Sequence, residues 1–141
     1  MNPYIYPGLR QSFKDLNKIK ALPQRKELIE DVIIGVCKAF KISEQELFSR
    51  NRKQNYVNAR FMAMVIYRYY MDMSLHEIGR QFQLDHSSVI HGLKKGGIYL
   101  ECDFDYREKL SECIEFNFGW TLAAPKVITK AINWMNQTTK P

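Results

Sequence analysis

The sequence predicts an all-α fold, and three observations carry that prediction. Apolar residues recur at helical spacing through most of the chain, Ser-x-x-Glu capping boxes and single Asp, Gly and Pro residues punctuate them, and no stretch alternates polar with apolar side chains as a half-buried strand would. Hydrophobic residues fill 45% and charged residues 26% of the 141 positions, which suits a folded domain and not a disordered one. That length accommodates one domain with an apolar core plus tails.

Taken in order, residues 1 to 24 are rich in Pro, Tyr and Lys, with Pro3, Pro7, Gly8 and Pro23 interrupting any long helix, and read as a basic aromatic arm. Leu28, Val32, Ile33, Val36, Cys37 and Phe40 then recur at helical spacing, which places a first helix over residues 24 to 40 with Gly35 as its weak point. Ser43-Glu44-Gln45-Glu46 has the form of a capping box and opens a short helix to about Ser49. Residues 50 to 56, Arg-Asn-Arg-Lys-Gln-Asn-Tyr, have almost nothing to bury and read as a basic loop. Val57, Phe61, Met62, Val65, Ile66 and Tyr69 follow without Gly or Pro, sufficient for a central helix over 57 to 71 packed on one or two sides.

A second capping box, Ser74-Leu75-His76-Glu77, opens a helix through Phe82, and only Gln83 and Leu84 separate it from Asp85, a good N-cap for the next. That next helix is expected to run to Lys95 and stop at Gly96-Gly97, because glycine tolerates the left-handed conformation found at helix ends. A further helix spans Asp103 to Phe118, acidic outside and apolar at Leu110, Cys113, Ile114 and Phe118, and Gly119 ends it. Pro125, followed by Val127, Ile128, Ala131, Ile132 and Trp134, starts a short final helix in a C-terminal extension. The expected architecture is a bundle of about six helices with an arm before it and a helical extension over residues 119 to 141.

Composition excludes several classes of protein. No window approaches the roughly eighteen consecutive apolar residues of a membrane span, and Met1-Asn2-Pro3-Tyr4 lacks the basic and apolar regions of a secretion signal, so a cytoplasmic protein without membrane contact is expected. The three cysteines, Cys37, Cys102 and Cys113, fit neither a disulfide framework nor a zinc site and are expected to be reduced and mostly buried. His76-Glu77 begins like the zinc-protease His-Glu-x-x-His, but Arg80 stands at the second ligand position. His86 and His91 are badly spaced for two ligands on one helix. No catalytic residue, metal site or cofactor is therefore expected.

Charge is concentrated. The formal net charge is +6, with residues 1 to 26 and 50 to 95 carrying +5 each, residues 27 to 49 summing to −3 and residues 101 to 115 to −4. A localised basic surface attracts polyanions, although a merely solvated face remains the bland alternative. The basic middle is also where two short helices meet at a tight turn, the outline of a helix-turn-helix. Projected at about 100° per residue, Val89, Ile90 and Leu93 share one arc, while Ser87, Ser88, His91, Lys94 and Lys95 cluster opposite. One face packs and the other is free to meet DNA, with Ser and His suited to base edges or phosphates and the lysines to phosphates.

Ser74-Leu-His-Glu-Ile-Gly-Arg-Gln-Phe, followed by Asp85-His-Ser-Ser-Val-Ile-His, resembles the signature of the C-terminal duplex-binding domain of the bacterial replication initiator DnaA. The resemblance extends upstream through Glu46-Leu-Phe-Ser-Arg-Asn-Arg-Lys and Ala59-Arg-Phe-Met-Ala-Met, and covers roughly residues 25 to 118. It implies sequence-specific binding of double-stranded DNA, as at replication origins, with base contacts by Asp85, His86 and Ser87 in the major groove and by Arg52 in the minor groove. Ser88, His91, Lys94 and Lys95 would support or touch the backbone, and Arg60 and Arg68 correspond to phosphate contacts.

Elementary chemistry agrees, since Asp accepts from the cytosine amino group and arginine suits a narrow minor groove. Asp85 would nevertheless be useful as an N-cap in any helix, His86 projects among the apolar residues and could be buried, and His91 could be an ordinary surface or core histidine. Three departures stand out. The Phe82-to-Asp85 turn is one residue shorter than the usual Gly-Gly-containing form, Phe61 stands where the family commonly has a glutamine, and Ala59 replaces a frequent proline.

The nucleotide-binding sequence Gly-x-x-x-x-Gly-Lys-Ser/Thr does not occur, so a standalone DNA reader without the initiator's ATPase is expected, acting on replication initiation or transcription. The competing reading is a protein-interaction module that kept the fold and lost specific DNA binding. It would dock a partner through Tyr4 and Tyr6 of the arm or through the tail around Trp120 and Trp134.

Overall fold

A computed structural model describes residues 24–118 and 123–139. Most of the arm, with Tyr4 and Tyr6, and Trp120 lie outside the described residues. The chain divides into two units, residues 1–30 and 31–141, and the second of them builds the helical bundle. Among the described residues every regular element is a helix: α1 (Gln24–Phe40), α2 (Glu44–Leu47), α3 (Gln54–Tyr69), α4 (Leu75–Phe82), α5 (His86–Cys102), α6 (Phe104–Phe118) and α7 (Ala123–Thr139). The all-α bundle read from the sequence is the fold observed.

Local chemistry sets most of the boundaries. α1 ends at Lys41, whose φ of 55° turns the chain so that the Ile42 amide donates to the Cys37 carbonyl at 3.0 Å. The Asn55 side-chain amide donates to the Phe40 carbonyl, and so satisfies another open group of that helix end. Both capping boxes form. Ser43 Oγ accepts from the Glu46 amide while the Glu46 carboxylate accepts from the Ser43 amide, and Ser74 with Glu77 repeats the arrangement.

α3 is the centre of the bundle. Met62, Ala63, Met64, Val65, Ile66 and Tyr67 are buried in succession, which requires neighbours on every side and not the one or two expected from the pattern. α5, α7, α2 and α4 all pack against it. Around it, Val32, Val36 and Phe40 of α1, Ile78 of α4, Val89, Leu93 and Leu100 of α5, and Leu110 and Ile114 of α6 complete the core. Tyr106 ties α6 to this centre, meeting Phe40 edge to face and donating from its hydroxyl to the Asn58 carbonyl at 2.7 Å.

Two further expectations about the helices and one about the thiols fail. α5 does not stop at Gly96-Gly97 but continues to Cys102, and both glycines are buried inside it. A Cβ on Gly96 would lie 2.6 Å from Val65 Cγ2, and one on Gly97 would lie 3.0 Å from Met135 Cβ and 3.1 Å from the Ala131 carbonyl oxygen. The pair therefore admits α3 and α7 to close range, a demand set by residues distant in sequence. α7 is accordingly not short but a 17-residue helix whose Ala124, Val127, Ala131 and Met135 are buried, and its packing on α5 is the most extensive between any two helices described. Of the thiols, Cys113 is buried, Cys37 half-buried and Cys102 exposed.

Candidate nucleic-acid interface

The turn between α4 and α5 is built without slack. Gln83 adopts φ 55° and ψ 46°, the left-handed conformation, and the Leu84 amide then donates back to the Gly79 carbonyl at 2.8 Å. Gly79 is required on steric grounds, since a Cβ there would sit 2.5 Å from the Leu84 carbonyl oxygen. Two residues after the reversal, Asp85 opens α5 with extended backbone, and its Oδ1 accepts from the Ser88 amide at 2.8 Å. That hydrogen bond holds the Asp85 carboxyl below the usual aspartate range.

The faces of α5 divide as projected. Val89 and Leu93 are buried, Asp85, His86, Ser87, His91 and Lys95 are exposed, and Ser88, Ile90 and Lys94 are half-buried. The alternative that His86 is buried therefore fails, because a first-turn side chain lies beyond the packed surface. His91 is likewise no core histidine. Its exposed ring meets the edge of Phe61 at 6.0 Å between centroids, so Phe61 packs against α5.

Opposite this helix, the basic loop is held by its own hydrogen bonds. The Asn51 amide donates to Ser49 Oγ, and the Lys53 amide donates to Asn51 Oδ1 at 2.9 Å, which presents Arg50 and Arg52 to solvent. Arg60 braces the base of the loop: its Nε donates to the Leu47 carbonyl at 2.7 Å and its Nη2 to Ser49 Oγ and the Glu46 carbonyl. Glu46 also accepts from the Tyr56 hydroxyl, the main reason its carboxyl lies below the ordinary glutamate value. Arg68 is used similarly elsewhere, its Nη1 donating to the Met73 carbonyl in the α3–α4 connection.

Loop and turn enclose a groove of about 760 Å³. Arg50, Arg52 and Arg60 line it together with Asp85, Ser87, Ser88 and His91, above apolar surface from Phe48, Val57, Phe61, Met64, Phe82 and Leu84. His86, Arg68, Lys94 and Lys95 are not part of this lining. Sequence alone singles out none of Arg50, Gln83 and Leu84 as site residues. Arg50 is legible in principle, since it belongs to the same basic run as Arg52, whereas Leu84 has no local signal beyond preceding the N-cap. Among the described residues, no cluster of His, Cys, Asp and Glu could hold a metal ion, and no helix is long and apolar enough to cross a membrane.

Two capped helices joined through a left-handed residue, the second exposing a polar first turn, define a helix-turn-helix domain. Comparison with known proteins narrows the class. Residues 29–95 match the family model described as bacterial dnaA protein helix-turn-helix. Similar proteins include the chromosomal replication initiator protein DnaA of Oleidesulfovibrio alaskensis, 40% identical over 65 residues that cover 46% of this chain and 14% of the relative. That of Desulfatibacillum aliphaticivorans is 38% identical over 60% of this chain and 19% of its own length, and that of Nautilia profundicola 35% identical over 74% and 23%. Residues 29–95 carry the DnaA-type helix-turn-helix. The matches span less than a quarter of these relatives' lengths. No solved structure matched.

Proposed function

We propose that this domain binds double-stranded DNA in a sequence-dependent way, with the first turn of α5 in the major groove and Arg52 in the adjacent minor groove. One observation carries the reading: the groove joins the exposed cations of the basic loop to the exposed hydrogen-bonding groups Asp85, Ser87 and His91 of α5. Phosphates pair with arginines, and base edges with short polar side chains at a helix start. In this reading Asp85, His86 and Ser87 contact bases, while Ser88, His91, Lys94 and Lys95 meet the backbone. Arg60 and Arg68 act on phosphates through the donors that their internal hydrogen bonds leave over, as well as holding the scaffold. By occupying initiator-type sites the protein would act on replication initiation or transcription.

The test compares variants on a duplex carrying a DnaA-type box and on a scrambled duplex of equal length, by fluorescence anisotropy. His86→Ala is expected to weaken only the box duplex, by about tenfold, the value of one good base contact. Lys95→Ala is expected to weaken both duplexes alike. Equal losses on both duplexes from His86→Ala would contradict the assignment of base contacts.

A further inference from the structure

The proposed groove is walled by polar and cationic groups, yet one apolar side chain is exposed at the foot of the recognition helix. Leu84 retains 38% of its accessible surface, lines the groove beside Asp85, and directly precedes the N-cap of α5. Its amide is tied to the Gly79 carbonyl at 2.8 Å, and its own carbonyl oxygen lies 2.5 Å from where a Gly79 Cβ would be. The turn thus holds the Leu84 backbone close against Gly79, and the residue keeps part of its surface open to the groove.

A duplex seated on Arg50, Arg52 and the start of α5 is polyanionic outside and offers hydrogen-bonding edges inside. The major groove carries a single kind of apolar group, the thymine 5-methyl. We infer that Leu84 is a specificity-determining residue that packs on a thymine 5-methyl group beside the base pairs met by Asp85 and Ser87. This inference rests on the DNA-binding reading above. It assigns the exposed residue before Asp85 a preference for thymine that a hydrogen-bonding side chain at this place would not have.

The experiment replaces each thymine of the box duplex, one at a time, with deoxyuridine, which removes the methyl and leaves every hydrogen-bonding group in place. Wild type is expected to lose about fourfold in affinity at one position, the effect of uncovering one methylene-sized group. Leu84→Ala is expected to bind the parent duplex about fourfold more weakly and to show no further loss at that position. Leu84→Met, which keeps an apolar tip and should melt with wild type, retains the sensitivity. The inference is overturned if no deoxyuridine affects wild type, or if the sensitive position is equally sensitive in Leu84→Ala. A wild type that does not distinguish the box from a scrambled duplex overturns the DNA reading first, and this inference with it.

Discussion

In the proposed reading, the carboxylate of Asp85 serves both structure and recognition. Oδ1 accepts from the Ser88 amide, and the side chain is exposed to solvent at the edge of the groove. The two roles are separable, because serine caps a helix as well as aspartate does but its single short oxygen cannot cap and reach a base at once. Asp85→Ser should therefore melt within a few degrees of wild type, measured by circular dichroism, and lose its preference for the box duplex. Retained preference would mean that Asp85 only caps. Arg60 and Arg52 make the complementary contrast. Arg60 commits donors to the Leu47 and Glu46 carbonyls and to Ser49, whereas Arg52 is exposed on a loop that those bonds brace.

Among the helices, α5 is the element on which both packing and the proposed recognition depend. Its first turn faces the groove, and its second half threads between α3 and α7 on Gly96 and Gly97. Alanine for glycine favours an isolated helix by about 1 kcal/mol. Here the added methyl meets Val65, a stiff β-branched side chain, so Gly96→Ala should destabilise the protein by roughly 1–3 kcal/mol in urea denaturation. An unchanged or raised midpoint would show that α3 and α5 have room to separate.

This helix also marks where sequence reading succeeds and where it stops. Ser43, Ser74 and Asp85 announce their helices because a cap is a contact over three residues. The amphipathic division at Val89, Leu93 and Ser87 follows equally from local periodicity. Gly96-Gly97 reads as a helix end by local propensity, and only contacts with Val65, Ala131 and Met135 reverse that meaning. The internal hydrogen bonds of Arg60 and Arg68, and the seating of Phe61 against His91, likewise depend on partners that the chain brings together only on folding.

At the scale of the molecule, a helix enclosed on all sides organises the bundle, and burial around it grades the three thiols. Burial pushes the Cys37 thiol up to about 11, helped by Glu44 and Glu46, and Cys113 up to about 12, helped by Glu112, while Cys102 is exposed. A thiol reagent at about pH 8 should thus modify one cysteine quickly in the native protein and three in denaturant. Three fast equivalents in the native protein would contradict the burial of Cys113 and the partial burial of Cys37.

The same bundle exposes cations on the basic loop and short polar groups on α5 across one groove, and the central claim is that this surface reads duplex DNA. The most direct test is anisotropy titration of the wild-type protein with a DnaA-type box duplex and a scrambled duplex at two salt concentrations. Tighter binding to the box is expected at both concentrations, and for each duplex a fall in log affinity with log salt of about 0.9 per phosphate neutralised. Equal affinity for the two duplexes, or affinity that ignores salt, would contradict the claim.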